Sequence, residues 1–132
     1  MNQPFADRAF VFNEQINAQY IIDLYSGDYE MIGETFADVT NEYPTLLENI
    51  DAAYKTEDIG ALKRAIHKIK PLFGFTGFTS LESQCLQFEN ACEAVADWHS
   101  LATEFTLLKN NLLQTRSIIE GEKERLVLFN KR

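Results

Sequence analysis

Apolar residues recur at intervals of three and four along nearly the whole chain, with almost no sustained alternation of the strand type, which predicts an all-α protein. Ile16, Tyr20, Ile21 and Leu24 share one side of a short first helix over residues 13–25. Ser26 and Gly27 break it, and Asp28 suits the N-cap of the next helix. That second helix carries Ile32, Phe36, Val39, Tyr43, Leu46, Ile50 and Tyr54, with Pro44 inside it, where a kink or local unwinding is expected. Thr56 is expected to cap a third helix whose apolar face is Ile59, Leu62, Ile66, Ile69 and Phe73. Thr79 to Glu82, "TSLE", has the capping-box pattern and opens a fourth helix with Leu81, Cys85, Phe88, Cys92 and Val95 as its stripe. Asp97 is placed to cap the last, on which Trp98, Leu101, Phe105, Leu108, Leu112 and Ile119 repeat as far as Gly121.

Four long amphipathic helices with short connections cannot bury their stripes separately. The expected architecture is an antiparallel up-and-down four-helix bundle with a short additional N-terminal helix. A chain of 132 residues reads as one domain, its core spanning about 13–121 with short flexible ends, and no internal repeat or linker divides it.

Composition narrows the function. A net charge of -8 disfavours a nucleic-acid or anionic-membrane partner, since Lys and Arg supply most of the affinity for phosphate backbones. No window approaches the roughly 20 apolar residues of a membrane span, and the first residues lack a basic segment followed by a long apolar run. The reading is cytoplasmic. Cys85 and Cys92 lie about 10 Å apart along a helix axis, too far for a disulfide, and read as buried apolar thiols.

Against this acidic background, residues 67–78, "HKIKPLFGFTGF", place a histidine among positive charges. Lys63, Arg64, Lys68 and Lys70 are four of the twelve Lys and Arg, packed into eight positions. His67 sits roughly 120° from the centre of its helix's apolar stripe, on the flank or surface, with Lys63, Arg64, Lys70 and Pro71 one turn away. Cations there disfavour the imidazolium and attract an added phosphoryl group. Gly74, two turns beyond on nearly the same side, and Gly77 near the helix end would leave that face open to another protein. Phe75 and Phe78 are each readable as core or partner surface, with core favoured.

Other groupings carry less. His99 has too few convergent ligands around it for a metal site. Glu82, Glu89 and Glu93 share a helix flank and read as a solvated face rather than an acid/base pair. A phosphate-cradling glycine loop and a nucleophile elbow are both absent from the sequence, so any chemistry needs a second protein.

"AIHKIK" with Gly77 ten positions after the histidine resembles the signature of histidine-containing phosphotransfer (HPt) domains. That signature has alanine two before the histidine, an apolar residue two after it, lysine three after it, and glycine four and ten after it. Here these are Ala65, Ile69 and Lys70, then Pro71 in place of the first glycine, and Gly77. "LESQCLQFEN" is similar to the family's following helix, and the likeness runs from about Tyr20 to Ile119.

The resemblance implies a phosphorelay module. His67 would accept a phosphoryl group from an aspartyl phosphate on a response-regulator receiver domain and pass it to another receiver. Lys70 would stabilise the phosphoryl oxygens, Gly77 would permit close packing, and Glu89 falls where the family often places a polar residue near the histidine. Such a module has no nucleotide site and no kinase activity of its own, the receiver brings Mg²⁺, and the expected form is a monomer, with a hybrid sensor histidine kinase as a further partner. Pro71 departs from the pattern and should kink the helix beneath the site. It motivates an alternative, a non-phosphorylated helical adaptor that docks a receiver or kinase.

Overall fold

The computed structural model describes residues 9–94 and 97–131, in which five helices and no strand are present. They are α1 (Ala18–Leu24), α2 (Tyr29–Lys55), α3 (Ile59–Thr76), α4 (Thr79–Ala94) and α5 (His99–Asn130). The expected stripes form the interior: Ile32, Phe36, Val39, Tyr43 and Ile50 of α2, Leu62, Ile66, Ile69 and Phe73 of α3, Cys85 and Phe88 of α4, and Leu101, Leu108 and Leu112 of α5 are all buried. Val95 lies outside the described residues.

Cross-helix partners run in opposite order along neighbouring helices, as an up-and-down bundle requires. Tyr29 O accepts from Asn130, Tyr43 Oη donates to Leu112 O at 2.7 Å, Asp51 pairs with Lys109, and the Tyr54 ring stacks on Phe105 at 4.0 Å. Between α3 and α4 the same reversal joins Lys63 to Glu93 and His67 to Glu89.

Local chemistry explains where the helices start. Asn17, Asp28 and Asp58 each have extended backbone and accept, respectively, from the N–H of Tyr20, Met31 and Ala61 at 3.0 to 3.1 Å. Asp97 accepts from Ser100 N–H at 3.0 Å, one residue ahead of the α5 N-cap itself, Trp98, which makes no side-chain cap bond. Two other caps differ from expectation. Thr56 closes α2, its hydroxyl bonding back to Ala53 O, and the positive φ of Glu57 turns the chain so that Asp58 caps α3. Thr79 is already helical; Glu82 N–H bonds to Phe78 O, and the Glu82 carboxylate turns towards α3 instead of closing a capping box.

Pro44 and Pro71 both lie within unbroken helices: α2 is one element through Pro44, as expected, and α3 continues through Pro71 to Thr76. The first helix is shorter than expected, because residues 13–16 form a turn before Asn17. Of its expected stripe Ile16 and Ile21 are buried, whereas Tyr20 and Leu24 are exposed.

The core also reaches beyond the expected limits of 13–121, since Phe10, Phe12 and Leu126 are buried. Phe10 packs edge-on to Phe12 and Phe129, and Arg125 covers the Phe10 ring while donating to Val11 O and pairing with Glu122. Buried Glu122 accepts from Asn13 N–H at 2.9 Å. This strap gives α5 something to pack against past Gly121, which periodicity within α5 alone could not reveal.

Candidate functional site

The site lies on the seam where the outer flank of α3 meets α4. Ile66 and Ile69 anchor α3 in the core, and the 100° step per residue turns His67 out of it. The His67 side chain is 68% exposed, but its Nδ1 lies 2.7 Å from Glu89 Oε1, and the Glu89 side chain is only 6% exposed. Lys70 Nζ, on a side chain 19% exposed, lies 2.7 Å from Glu89 Oε2, an ion pair without the alignment of a directed hydrogen bond. One buried carboxylate therefore holds both the ring and the lysine.

With a carboxylate accepting at Nδ1, that nitrogen carries a proton, and in the neutral ring the lone pair is then the one on Nε2. Burial pushes the Glu89 carboxyl up, but Lys70 and then His67 pull it down more strongly, so it rests below the usual carboxylate range. Glu89 is thus an anion at neutral pH, placed to balance positive charge on the imidazole. The surroundings expected to be cationic are mixed in consequence.

Two neighbours extend this seam. Lys63 pairs with Glu93, and that hydrogen bond to a carboxylate raises the lysine's pKa. Gly74 and Gly77 do not form the open face expected of them, because both are buried. A Cβ on Gly74 would come within 2.8 Å of Glu82 Oε2, so the missing side chain makes room for that carboxylate. Gly77 has φ +80 at the C-cap of α3, and a Cβ there would meet Ile21 Cγ1 at 2.4 Å and Ile16 Cγ2 at 2.9 Å. Its carbonyl accepts from Asn17 N–H at 2.8 Å. Gly77 therefore seats α1 and its lead-in against the bundle.

The outer surface near the ring consists of Arg64, Lys68, Pro71 and Phe75, all exposed. Phe78 is buried and Phe75 is 50% exposed, so the two phenylalanines divide between core and surface. The acidic flank of α4 is not simply solvated either: Glu89 is buried, Glu93 holds Lys63 and Glu82 fills the space over Gly74. Its sequence signal was the matching spacing of Glu82, Glu89 and Glu93 against Gly74, His67 and Lys63 in antiparallel order. His99 is exposed at the N-terminal start of α5, beside Trp98 and Tyr54. Cys85 and Cys92 are free and buried, their thiols pushed up by burial to about 12 and about 11, and thus protonated at neutral pH.

Among the described residues, no group of three or more His, Cys, Asp or Glu is placed to hold a metal ion, and no helix is long and apolar enough to cross a membrane.

The class of module that the fold and site describe is an all-helical bundle presenting, on its surface, a histidine paired with a carboxylate of the next helix. The Hpt domain family model matches residues 34–118, and the chain belongs to that family. Its fold is similar to the crystal structure of the HPT domain from the Hpt sensor hybrid histidine kinase of Shewanella, with a TM-score of 0.73 and 17% sequence identity, over 84% of this chain and 95% of that one. No curated protein matches the chain. Family membership supports a histidine phosphotransfer role in two-component signalling.

Proposed function

We propose that His67 is the phosphoacceptor of a phosphorelay, taking a phosphoryl group from the aspartyl phosphate of one receiver domain and giving it to another. The observation that carries this is the buried Glu89 carboxylate on Nδ1 of an otherwise exposed ring. The Nε2 lone pair forms the N–P bond as the P–O bond to the receiver's aspartate breaks, and the aspartate leaves as a carboxylate. No proton has to depart. Nδ1 keeps its hydrogen, the ring becomes cationic, and Glu89 balances that charge in place. The return step reverses these bonds with a second receiver as acceptor.

Lys70, three residues on from His67, stabilises the phosphoryl oxygens in this reading, leaving or sharing Glu89 as charge builds on the phosphoryl group. Lys63 and Arg64 contribute to the basic rim, Pro71 borders the approach, and Gly74 and Gly77 support the site from beneath by setting the α3/α4 and α3/α1 packing. The Mg²⁺ that assists the transfer would belong to the receiver. The module acts as a cytoplasmic monomer and works only with a partner, a receiver domain or the receiver of a hybrid sensor kinase.

The test is incubation with aspartyl-phosphorylated, labelled receivers. Acid-labile, alkali-stable label should appear on the wild type and be absent from His67→Gln, whose exposed side chain makes a folding defect unexpected. Failure to take label from every receiver of the source genome would overturn the reading. Full partner function in His67→Ala would put the adaptor in its place.

A further inference from the structure

The four cations clustered on α3 are not equivalent. Lys63 is paired with Glu93 and Lys70 with Glu89, so each already has an anionic partner on α4. Arg64 and Lys68 are exposed, and among the described residues neither has an ion pair or hydrogen bond. They stand four residues apart, on one face of the helix. The Arg64 guanidinium lies back over Gly60, where a Cβ would sit 3.4 Å from Nη1, so this cation projects towards the N-terminal end of α3.

At 100° per residue, Arg64, Lys68, Pro71 and Phe75 fall within about 60° of one another, opposite the buried Ile66, Ile69 and Phe73. His67 flanks this stripe on the α4 side. Along about 16 Å of helix the stripe changes character. Its N-terminal half carries two uncommitted positive charges, and its C-terminal half presents proline and a half-exposed phenylalanine. Beyond Phe75 the apolar character continues into a cleft of about 740 Å³ between α1 and α2, bordered by exposed Leu24 and Met31 and by Asp38 and Glu42.

Resting on the phosphoacceptor reading of His67, we infer that this stripe docks the receiver in one orientation, with Arg64 and Lys68 meeting acidic residues at the rim of its phosphorylation pocket and Phe75 meeting an apolar patch beside it. The occupant is fixed by charge complementarity. The donor is an aspartyl phosphate, and a protein surface holding it is anionic where it faces His67. On a chain of net charge -8, two free cations next to the nucleophile are the available attraction for such a surface, and the acids at the other end repel the reversed pose. Lys63 and Lys70 contribute less to this long-range attraction because their charges are locally cancelled.

Each half of the stripe has its own kinetic signature, measured with an aspartyl-phosphorylated receiver that labels the wild type. Removing both cations, Arg64→Ala with Lys68→Ala, should slow second-order transfer about tenfold at low salt, and the difference should shrink towards nothing near 0.5 M salt, since exposed charges are screened. Phe75→Ala should weaken the complex about tenfold at every salt concentration, through faster dissociation. Labelling of His67 by phosphoramidate, a small donor that needs no docking, should be unchanged in Phe75→Ala and should fall much less than receiver transfer in the double variant. Both cationic side chains are exposed and, among the described residues, have no ion pair or hydrogen bond, so circular dichroism should show intact helices.

Wild-type transfer rates in the double variant at low salt would overturn the docking assignment while leaving His67 as acceptor. So would an equal loss with phosphoramidate, because the cations would then act on the chemistry. A wild type that takes label from no receiver would remove both readings together.

Discussion

Glu89 Oε1 lies 2.7 Å from His67 Nδ1, a buried carboxylate against an exposed ring. The pairing is asymmetric in its consequences. His67 can leave without disturbing the interior, whereas Glu89 cannot be removed without stranding Lys70, whose side chain is 19% exposed.

Glu89→Gln separates charge from geometry. The amide oxygen can still accept from Nδ1–H, but the negative charge that balances the phosphorylated ring is gone. A hydrogen bond to a charged group contributes about 1 kcal/mol more than a neutral one, so transfer to His67 should slow roughly fivefold to tenfold. Stopped-flow or quenched transfer from one phosphorylated receiver measures this. An unchanged rate would mean that Glu89 only holds the ring in place.

The same residue gives the fold a pH signature. Glu89 has a folded pKa below its ordinary value, because Lys70 and His67 more than offset burial. Its contribution is therefore complete above the ordinary carboxylate pKa of about 4.3 and is lost as pH falls through the lower, folded value. The groups facing it are His67, Lys70 and, farther along, Lys63 on α3, with Cys85 and Cys92 beside it on α4. Urea midpoints of the wild type and Glu89→Gln should differ most near pH 6 and converge below pH 4. Parallel curves would assign the acid loss to other carboxylates.

The helices were readable because each stripe buries one face, so Ile32 to Ile50 in α2 and Leu62 to Phe73 in α3 announce the core by spacing alone. His67 was readable for the opposite reason: it breaks phase with that stripe. What spacing could not carry was partnership between helices. Lys63 and Lys70 look like free cations until α4 brings Glu93 and Glu89 to them, and Glu89 looks solvated until α3 covers it. Gly74 and Gly77 illustrate the same limit, since a glycine reads equally as an opening for a visitor or as room for a neighbour, and here Glu82, Ile16 and Ile21 occupy the room. The run of α5 past Gly121 depends on Phe10 and Arg125, whose meeting across the length of the chain leaves no local trace.

Gly77→Ala tests that second kind of glycine. The substitution forces a left-handed residue to carry a side chain and drives Cβ to 2.4 Å from Ile21 Cγ1. Left-handed strain and overpacking together should cost about 2–4 kcal/mol. Thermal unfolding measures the loss, and hydrogen exchange should show its greatest effect at the amides of α1 and at Asn17 N–H, which donates to Gly77 O. Gly74→Ala should be milder, because the atom it meets is the movable end of Glu82.

Pro71 stands four residues after His67, where its ring nitrogen cannot donate to the His67 carbonyl, so α3 lacks that hydrogen bond directly beneath the ring. Pro71 is also exposed, so nothing in the core depends on its ring. Pro71→Ala supplies the missing donor and should stabilise the helix, by up to about 3 kcal/mol, the usual cost of an interior proline. Local stiffening has a second consequence for chemistry, because the His67 backbone sets where Nε2 points. If the broken bond is part of how the ring meets its donor, the more stable variant will transfer more slowly; if Pro71 is only tolerated, stability will rise and the rate will hold. Thermal unfolding together with receiver-to-His67 transfer on the same preparation separates these, and a Pro71→Ala protein no more stable than the wild type would show that α3 has already compensated for the absent donor.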